Sequence, residues 1–347
     1  MRLSFVQTHL NDMRSYAVPL KFSWPLKARI NEIEAIKYLH SVIPDLADHL
    51  PALQFSDNFT VPGLDLPWTK LDLTITAENH KESGLHILAS KLYIKLWKAG
   101  SVEAFKQAWL DCVECHYQVW TKGEPLHRDL SENNLMLYLG KDGKVKGVLN
   151  DWDIASFKNA LGQIDRLFAA HHRTGTPPFM AMDLLASSSE PPTHLYRHEL
   201  ESFFYILLWG ALHYDVVVGI RHPTVEEVKP WEEGLDAIRC KKVTFFSRYR
   251  DAEPVFKAIR PEFQGLRKEW IEPLYWLIKG AYNSEPEVPP DQEVQPAASY
   301  DYDTYGGRLT FWTFMKAIKQ EPRWARKEET ELRKEGEIKQ ETKEKVN

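Results

Sequence analysis

The sequence predicts an α+β fold with a small, β-rich N-terminal lobe at residues 1–90 and a mainly helical C-terminal lobe at residues 91–325. Apolar residues alternate along short segments of the first lobe, which is typical of half-buried strands. After about residue 90 they recur every three to four positions, which is typical of the buried face of a helix. A chain of 347 residues is long enough to bury a substantial core in either one large domain or two smaller ones.

The N-terminal lobe contains strand patterns and one clear helix pattern. Alternation at residues 18–22 predicts a strand that ends at Pro25, because proline cannot continue a hydrogen-bond ladder. Apolar spacing from Arg29 predicts a helix that ends at Pro44. The proline-rich residues 51–67 are predicted to be irregular. Further strands are predicted at residues 71–75 and 85–88.

The C-terminal lobe combines long helix patterns with one hairpin. Two apolar segments flank the turn sequence Gly140-Lys-Asp-Gly143, which favours a β-hairpin. Residues 284–305 are acidic and proline-rich and are predicted to be a loop, and the Lys/Glu-rich residues 326–347 are predicted to be a disordered tail or a solvated helix. Helices are predicted at residues 102–120, 200–212 and 269–282.

Composition limits the class of protein. The formal charge of −5 gives no reason to expect nucleic acid or an anionic membrane as the main partner. Three cysteines are too few for a disulfide framework. The N-terminus has no signal-peptide pattern, and no apolar run is long enough to span a membrane. We therefore expect an intracellular protein of the cytoplasm, the nucleus or both.

Two short motifs carry the predicted chemistry. Residues 127–134 read His-Arg-Asp-Leu-Ser-Glu-Asn-Asn, and residues 150–153 read Asn-Asp-Trp-Asp. The first matches every fixed position of the protein-kinase catalytic loop, H-R-D-L-x-x-x-N. The predicted hairpin lies between Asn134 and Asp151, so it would bring this amide and this carboxylate to the same end of two paired strands.

These motifs assign roles in phosphoryl transfer from a magnesium nucleotide. Asp129 is the predicted catalytic base, and Asn134 and Asp151 are the predicted ligands of Mg²⁺, which prefers oxygen donors. Arg128 is expected to reach the activation segment, and His127 is expected to pack beneath the loop as a structural residue.

An activation segment is predicted downstream, because residues 173–183 resemble the end of that segment in protein kinases. Thr176 occupies the position of a threonine that commonly contacts the catalytic aspartate, and Asp183 replaces the glutamate of the usual Ala-Pro-Glu ending. Glu199 replaces an aspartate that binds the catalytic-loop backbone. Arg173 and Thr174 complete the predicted segment, and Thr174 and Thr176 are candidate phosphosites.

The N-terminal lobe supplies a predicted lysine–glutamate pair. Lys21 is the candidate phosphate-binding lysine, and Glu32 is its predicted partner at the start of the helix. Glu34 is the less favoured partner, because it is out of register with Ile36 and Leu39.

Together these motifs resemble the fungal-type protein kinase family. The resemblance extends from about residue 17 to about residue 318 and includes Leu20-Lys-Phe-Ser-Trp24, residues 127–134 and His198-Glu-Leu-Glu-Ser-Phe-Phe204. It implies a two-lobed kinase fold, ATP and Mg²⁺ as cofactors, and transfer to Ser or Thr hydroxyl groups of a protein substrate.

Three departures leave other functions open. No glycine precedes Gly63, so the N-terminal lobe is predicted to be truncated and to lack a Gly-rich loop. Ser131 replaces a lysine that faces the transferred phosphate, and Asp153 stands where most kinases have the glycine of Asp-Phe-Gly. The alternatives are a pseudokinase that acts as an interaction module and a small-molecule phosphotransferase of the aminoglycoside or choline kinase type.

Overall fold

The computed structural model describes residues 4–9, 15–24, 31–59, 84–123, 125–157, 175–186, 192–286 and 300–324. For residues 4–9 and 15–17 it describes the backbone alone. The predicted α+β character is confirmed, since antiparallel sheets and long helices are both present. The predicted strand at residues 71–75 and the predicted tail at residues 326–347 lie outside the described residues, as does most of the predicted loop at residues 284–305.

A four-stranded antiparallel sheet occupies the N-terminal part, in the order β1-β2-β4-β3. Strand β2 contains the predicted strand at residues 18–22, and it places Lys21 opposite Leu88 of β4. Strand β1 was not predicted. The four strands are β1 (Ser4–His9), β2 (Ser15–Ser23), β3 (Leu53–Phe59) and β4 (Leu85–Ser90).

The prediction that residues 51–67 are irregular is wrong at β3. This strand pairs along most of its length with β4 and contains an irregularity between Leu53 and Phe55. Its residues are exposed or half-buried, and Phe55 keeps 54% of its surface exposed. The backbone ladder with β4 therefore determines the strand, and it leaves little hydrophobic pattern in the sequence.

Helix α1 (Glu32–Val42) begins where the side chain of Asn31 accepts a hydrogen bond from the backbone N–H of Glu34 at 2.9 Å. Such a cap satisfies a donor that the helix itself leaves unpaired. Ile33, Ile36 and Leu39 are buried, and they set the rotation of the helix. Glu32 consequently lies in the first turn with its side chain turned inward.

The predicted hairpin is confirmed with its expected bounds, as strands β6 (Leu135–Leu139) and β7 (Val145–Leu149). They pair with β5 (Ile94–Lys95) in the order β5-β6-β7. Leu135 lies opposite Leu149, so the ends that lead to Asn134 and Asp151 are adjacent. The long, largely buried helix α2 (Val102–Gly123) packs against β7.

The C-terminal part is helical and surrounds helix α3 (Tyr196–His213), of which nearly every residue is buried. A short hairpin, β8 (Tyr214–Asp215) and β9 (Ile220–Arg221), follows α3. A π-helical turn at Arg267–Ile271 occupies the start of the helix that was predicted at residues 269–282. Longer helices among the described residues of this part also include α4 (Leu235–Ser247), α5 (Tyr249–Ala258), α6 (Glu272–Tyr282) and α7 (Phe311–Ala317).

Within the part of the chain that the structure describes, no helix combines the length and the apolar character needed to cross a membrane.

Candidate active site

Asp129 lies at the centre of a small hydrogen-bonded group. Thr176 Oγ1 donates to Asp129 Oδ1 at 2.7 Å, and Asn134 Nδ2 donates to the Asp129 backbone oxygen at 2.7 Å. Asn134 Nδ2 also lies 3.3 Å from Asp129 Oδ2. Burial, opposed by the hydrogen bond from Thr176, raises the pKa of Asp129 to about 6. The carboxylate is thus held in place by two segments and can accept a proton near neutral pH.

Two residues of the site have left-handed backbone conformations although they carry side chains. Arg128 has φ 69° and Asp151 has φ 68°. Such conformations cost about 1–2 kcal/mol per residue and persist only where the surrounding contacts enforce them. Each lies at or beside a predicted catalytic group. The surrounding contacts must therefore offset this cost in order to hold the loop and the Asp151 carboxylate in place.

The side chain of His127 is fully buried. Its Nε2 lies 2.9 Å from the backbone oxygen of Asn150, and its Nδ1 lies 3.3 Å from the backbone N–H of Asp129. These partners assign the proton to Nε2, since a carbonyl can only accept. Burial lowers the pKa of His127 to about 4, so the ring stays neutral and joins the two motifs.

Glu199 in α3 holds the backbone of the catalytic loop. Its carboxylate accepts from the backbone N–H groups of His127 and Arg128, each at 3.2 Å. It also lies between His194 Nε2 at 2.5 Å and His116 Nε2 at 3.0 Å. Burial alone would raise the pKa of Glu199, but the two histidines outweigh burial and hold it well below the usual value. These histidines were not identified from the sequence.

Lys21 connects the sheet to the site. Its ammonium lies 2.8 Å from Glu32 Oε2 and 3.2 Å from Asp153 Oδ2, and it also forms an ion pair with Asp151. Burial alone would lower the pKa of Lys21, but these three carboxylates together raise it above the usual value. Burial raises the pKa of Glu32 to about 7, against the opposing effect of Lys21. Glu34 is exposed and takes no part.

The donor set fits magnesium and the phosphates of a nucleotide. Asn134 directs its amide nitrogen at Asp129, so its Oδ1 points to the other side. Asp151 supplies a second oxygen, and three carboxylates (Glu32, Asp151, Asp153) lie around the ammonium of Lys21. Among the described residues, no group of three or more His, Cys, Asp or Glu side chains is arranged to hold a metal unaided. A hard cation here would therefore depend on the Asn134 amide and on ligands from the nucleotide.

The side chain of Ser131 is buried within the catalytic loop. It is 2% exposed, and its hydroxyl accepts from the backbone N–H of Asn133 at 3.3 Å. Lys95 of β5 brings a positive charge to the same loop, where its Nζ donates to the Asn133 backbone oxygen at 3.0 Å. Neither Lys95 nor this contact was predicted from the sequence.

Glu132 ties the catalytic loop to the β8–β9 hairpin. Its Oε2 accepts from the hydroxyl of Tyr214 at 2.7 Å, and its Oε1 accepts from Arg221 Nε at 3.0 Å. Glu132 is 8% exposed, whereas the Arg221 side chain is 28% exposed, so this ion pair is partly shielded from water. Tyr214 and Arg221, which sequence reasoning missed, thus hold the catalytic loop against this hairpin.

Asp183 ends the described part of the activation segment in a polar cluster. Its Oδ2 accepts from Arg197 Nη1 at 2.5 Å and from the Tyr305 hydroxyl at 2.7 Å, and His198 Nε2 lies 3.5 Å away. Burial opposes ionisation, but the contacts with His198 and Arg197 hold the pKa of Asp183 well below the usual range. Tyr305 shows that the end of the predicted loop at residues 284–305 is packed.

A second brace acts on strand β7. The backbone N–H of Gly147 donates to Asp111 Oδ2 at 2.8 Å, and its backbone oxygen lies 2.8 Å from His49 Nδ1. Asp111 in turn pairs with Arg323 Nη2 at 2.7 Å. Three distant segments therefore meet at the strand that leads to Asp151, and none of these contacts was predicted.

Arg173 and Thr174 lie outside the described residues, so their predicted roles stay predictions. The expected contact of Arg128 with the activation segment also stays a prediction. Gly175 is described and has φ 132°, a conformation that favours glycine.

Residues 81–211 match the sequence model of a family described as fungal protein kinase. The matched residues include the catalytic loop, the β6–β7 hairpin, Asp151 and most of α3, whereas Lys21 and Glu32 precede them. The match is shorter than the resemblance expected from about residue 17 to about residue 318. No curated protein matches the chain. Residues 81–211, which carry Asp129, Asn134 and Asp151 in one site, are thus similar to the fungal protein kinase family, and the match supports the resemblance that the motifs indicate.

Proposed function

We propose that the protein transfers the γ-phosphoryl group of ATP to Ser or Thr hydroxyl groups of a protein substrate, with Mg²⁺ as the cofactor. The four-stranded sheet and the helical part would form the two lobes, with the nucleotide between them. The observation that carries the proposal is that Lys21, from the N-terminal sheet, meets Asp151 in the same site as Asp129, although it precedes Asp151 by 130 residues. The family match supports the same reaction class.

In the proposed reaction, Asp129 receives the proton of the attacking hydroxyl as the new O–P bond forms and the bond to ADP breaks. Thr176 and Asn134 keep the Asp129 carboxylate aimed at that hydroxyl. Bound Mg²⁺ would supply charge neutralisation at the phosphates, and Asn134 and Asp151 would hold it. Lys21, supported by Glu32, would donate to phosphate oxygens.

The test is transfer of labelled phosphate from ATP to a panel of proteins that includes casein. We expect Asp129→Asn to reduce transfer by about 10²–10⁴-fold, the usual contribution of a positioned general base. Asp142→Asn changes an exposed carboxylate in the β6–β7 turn and should leave transfer intact. Undiminished transfer by D129N would contradict the assignment, and so would phosphorylation of choline or an aminoglycoside without protein phosphorylation.

Ser131 favours a second candidate function, a nucleotide-binding interaction module with little or no transfer. Its buried hydroxyl cannot supply the positive charge expected at that position, and losing one such group costs about 2.7–4 kcal/mol of transition-state stabilisation. A thermal shift by Mg-ATP without any transfer would favour this module. Thermal stabilisation together with transfer would favour the kinase.

A further inference from the structure

Two buried charged side chains, Lys242 and Glu201, form hydrogen bonds with the backbone of the segment that follows Thr176. Lys242 Nζ, from α4, donates to the backbone oxygen of Met180 at 2.5 Å. Glu201 Oε1, from α3, accepts from the backbone N–H of Met182 at 3.0 Å. A cation and an anion from two different helices thus hold the two sides of one short stretch of chain.

Lys242 is unusual because it is fully buried, with 0% of its surface exposed. Lysine is almost never fully buried unless its ammonium is paired. The ammonium lies 3.5 Å from the ring centre of Tyr205 and 5.4 Å from that of Trp231, and both contacts are stronger when water is excluded. Burial lowers the pKa of Lys242, and Glu201 opposes that shift. Its neighbour Lys241 is exposed.

Glu201 is equally constrained. It is 1% exposed, and it accepts hydrogen bonds from the hydroxyl groups of Tyr205 and Tyr282, each at 2.5 Å. Tyr205 therefore touches both charged groups, with its ring on Lys242 and its hydroxyl on Glu201. Moving either Lys242 or Glu201 would break several contacts at once. Both side chains therefore hold their hydrogen-bonding atoms in fixed positions beside the backbone of Met180 and Met182.

Met180 lies four residues after Thr176, which contacts Asp129. The backbone N–H of Phe179 donates to the Thr176 oxygen at 3.0 Å, and that of Met180 donates to the Pro177 oxygen at 3.2 Å. One turn of 3₁₀-helix thus connects Met180 to Thr176, whose hydroxyl binds Asp129. A shift of Met180 would move Thr176 and the backbone beside Asp129.

We propose that Lys242 and Glu201 are positioning residues that fix residues 176–183 beside Asp129 for a protein acceptor. This inference rests on the proposed function, because it concerns the acceptor side of the same site. Both residues act through the backbone of Met180 and Met182, and nothing in their contacts involves Lys21 or Asp151. Their loss should therefore affect the acceptor and leave nucleotide binding unchanged.

Hydrogen–deuterium exchange of the full chain tests these two contacts without requiring activity. We expect Lys242→Met to speed exchange of the amides at residues 179–185 by about tenfold or more, because the segment detaches locally. The matched control is Lys241→Met, which should leave those amides unchanged. A second variant, Met182→Pro, removes the N–H that Glu201 binds and keeps both charges, and φ −60° at Met182 suits proline. Unchanged exchange at residues 179–185 in either folded variant would overturn the proposal.

A kinetic measurement separates positioning from general stabilisation. In transfer to casein, we expect K242M to raise KM for casein about tenfold while KM for Mg-ATP stays within about twofold. An equal increase in KM for casein and in KM for Mg-ATP, with faster exchange throughout the chain, would show a merely structural role. That result would also overturn the proposal. If the wild-type chain transfers no phosphate, the proposed function fails. The exchange measurement still decides whether Lys242 and Glu201 fix residues 176–183.

Discussion

Asp111 in α2 accepts a hydrogen bond from the backbone N–H of Gly147 in β7, at 2.8 Å and across 36 residues of sequence. This contact requires the strand to lie directly on the helix. A Cβ atom added at Gly147 would lie 2.0 Å from the backbone oxygen of Ala108. The absence of a side chain at this position therefore sets how closely the strand that leads to Asp151 can approach α2.

We accordingly expect Gly147→Ala to destabilise the protein by about 3 kcal/mol or more, since the obstructing atom belongs to a rigid helix backbone. Urea unfolding measures the change. Gly280→Ala is the matched control: Gly280 lies in α6 with nothing within 4 Å of an added Cβ, so this variant should be neutral or slightly stabilising. Equal effects of the two substitutions would contradict the steric argument.

Arg323 should stabilise the same region through two buried carboxylates. Its guanidinium lies 2.7 Å from Asp111 Oδ1 and 2.9 Å from Glu114 Oε1, and those side chains are 2% and 1% exposed. Breaking a fully buried ion pair costs about 3–5 kcal/mol, but the Arg323 side chain is 37% exposed. We therefore expect Arg323→Met to cost about 2 kcal/mol.

Thermal and urea unfolding measure the loss in R323M, with the exposed Arg308→Met as control. A stability within about 0.5 kcal/mol of the wild type would show that the two carboxylates do not need the guanidinium.

His213 should make the fold sensitive to mild acid. Its Nδ1 lies 2.8 Å from the Trp209 backbone oxygen, and its Nε2 accepts from the Val225 N–H at 3.2 Å. Protonation of Nε2 would break the second bond, and burial lowers the pKa of His213 to about 4. The unfolded chain binds the proton more readily, so stability falls as pH drops from about 6.5 to about 4.

The contribution of His213 between pH 7 and pH 5 is about 2 kcal/mol. His213→Gln can donate to Trp209 and accept from Val225 without titrating, so its unfolding free energy should depend less on pH over that range. His127 and His198 also have a pKa lowered to about 4 and would retain part of the acid sensitivity. An unchanged pH dependence in H213Q would contradict the assignment.

Thr176→Val should reduce phosphoryl transfer with little loss of stability. Valine keeps the shape of threonine but removes the hydroxyl that donates to Asp129 Oδ1 at 2.7 Å. Hydrogen bonds to charged groups are worth about 1.5–3 kcal/mol, so kcat should fall by about 10–100-fold. The control is Thr244→Val on the exposed face of α4. Wild-type kcat in T176V would show that Asp129 needs no such partner.

Local signals account for the elements that sequence analysis predicted well. The β6–β7 hairpin combines an apolar alternation with the turn Gly140–Gly143, and both features lie within fifteen residues. Helix α1 shows its apolar spacing and its Asn31 cap in the same way. Strand β3 was missed because it is mostly exposed, so its pairing with β4 leaves no burial pattern to detect.

The braces of the site could not be predicted, because each joins residues that are distant in the chain. His49 binds Gly147 across 98 residues, and Arg221 binds Glu132 across 89. Lys242 reaches Met180 across 62 residues. In the sequence each of these is a single polar residue within an ordinary helix or loop, and only packing reveals its burial and its partner.

The sequence by itself determined which polar residues meet in the candidate site. Asp129, Asn134 and Asp151 belong to two short motifs, and the hairpin between these motifs brings them together. The tertiary structure alone decided which distant residues hold that place, such as Arg221 on Glu132 and Lys242 on the backbone of Met180. The physical reason is range. Backbone geometry acts over a few residues, whereas burial and charge pairing depend on which distant segments fold against each other.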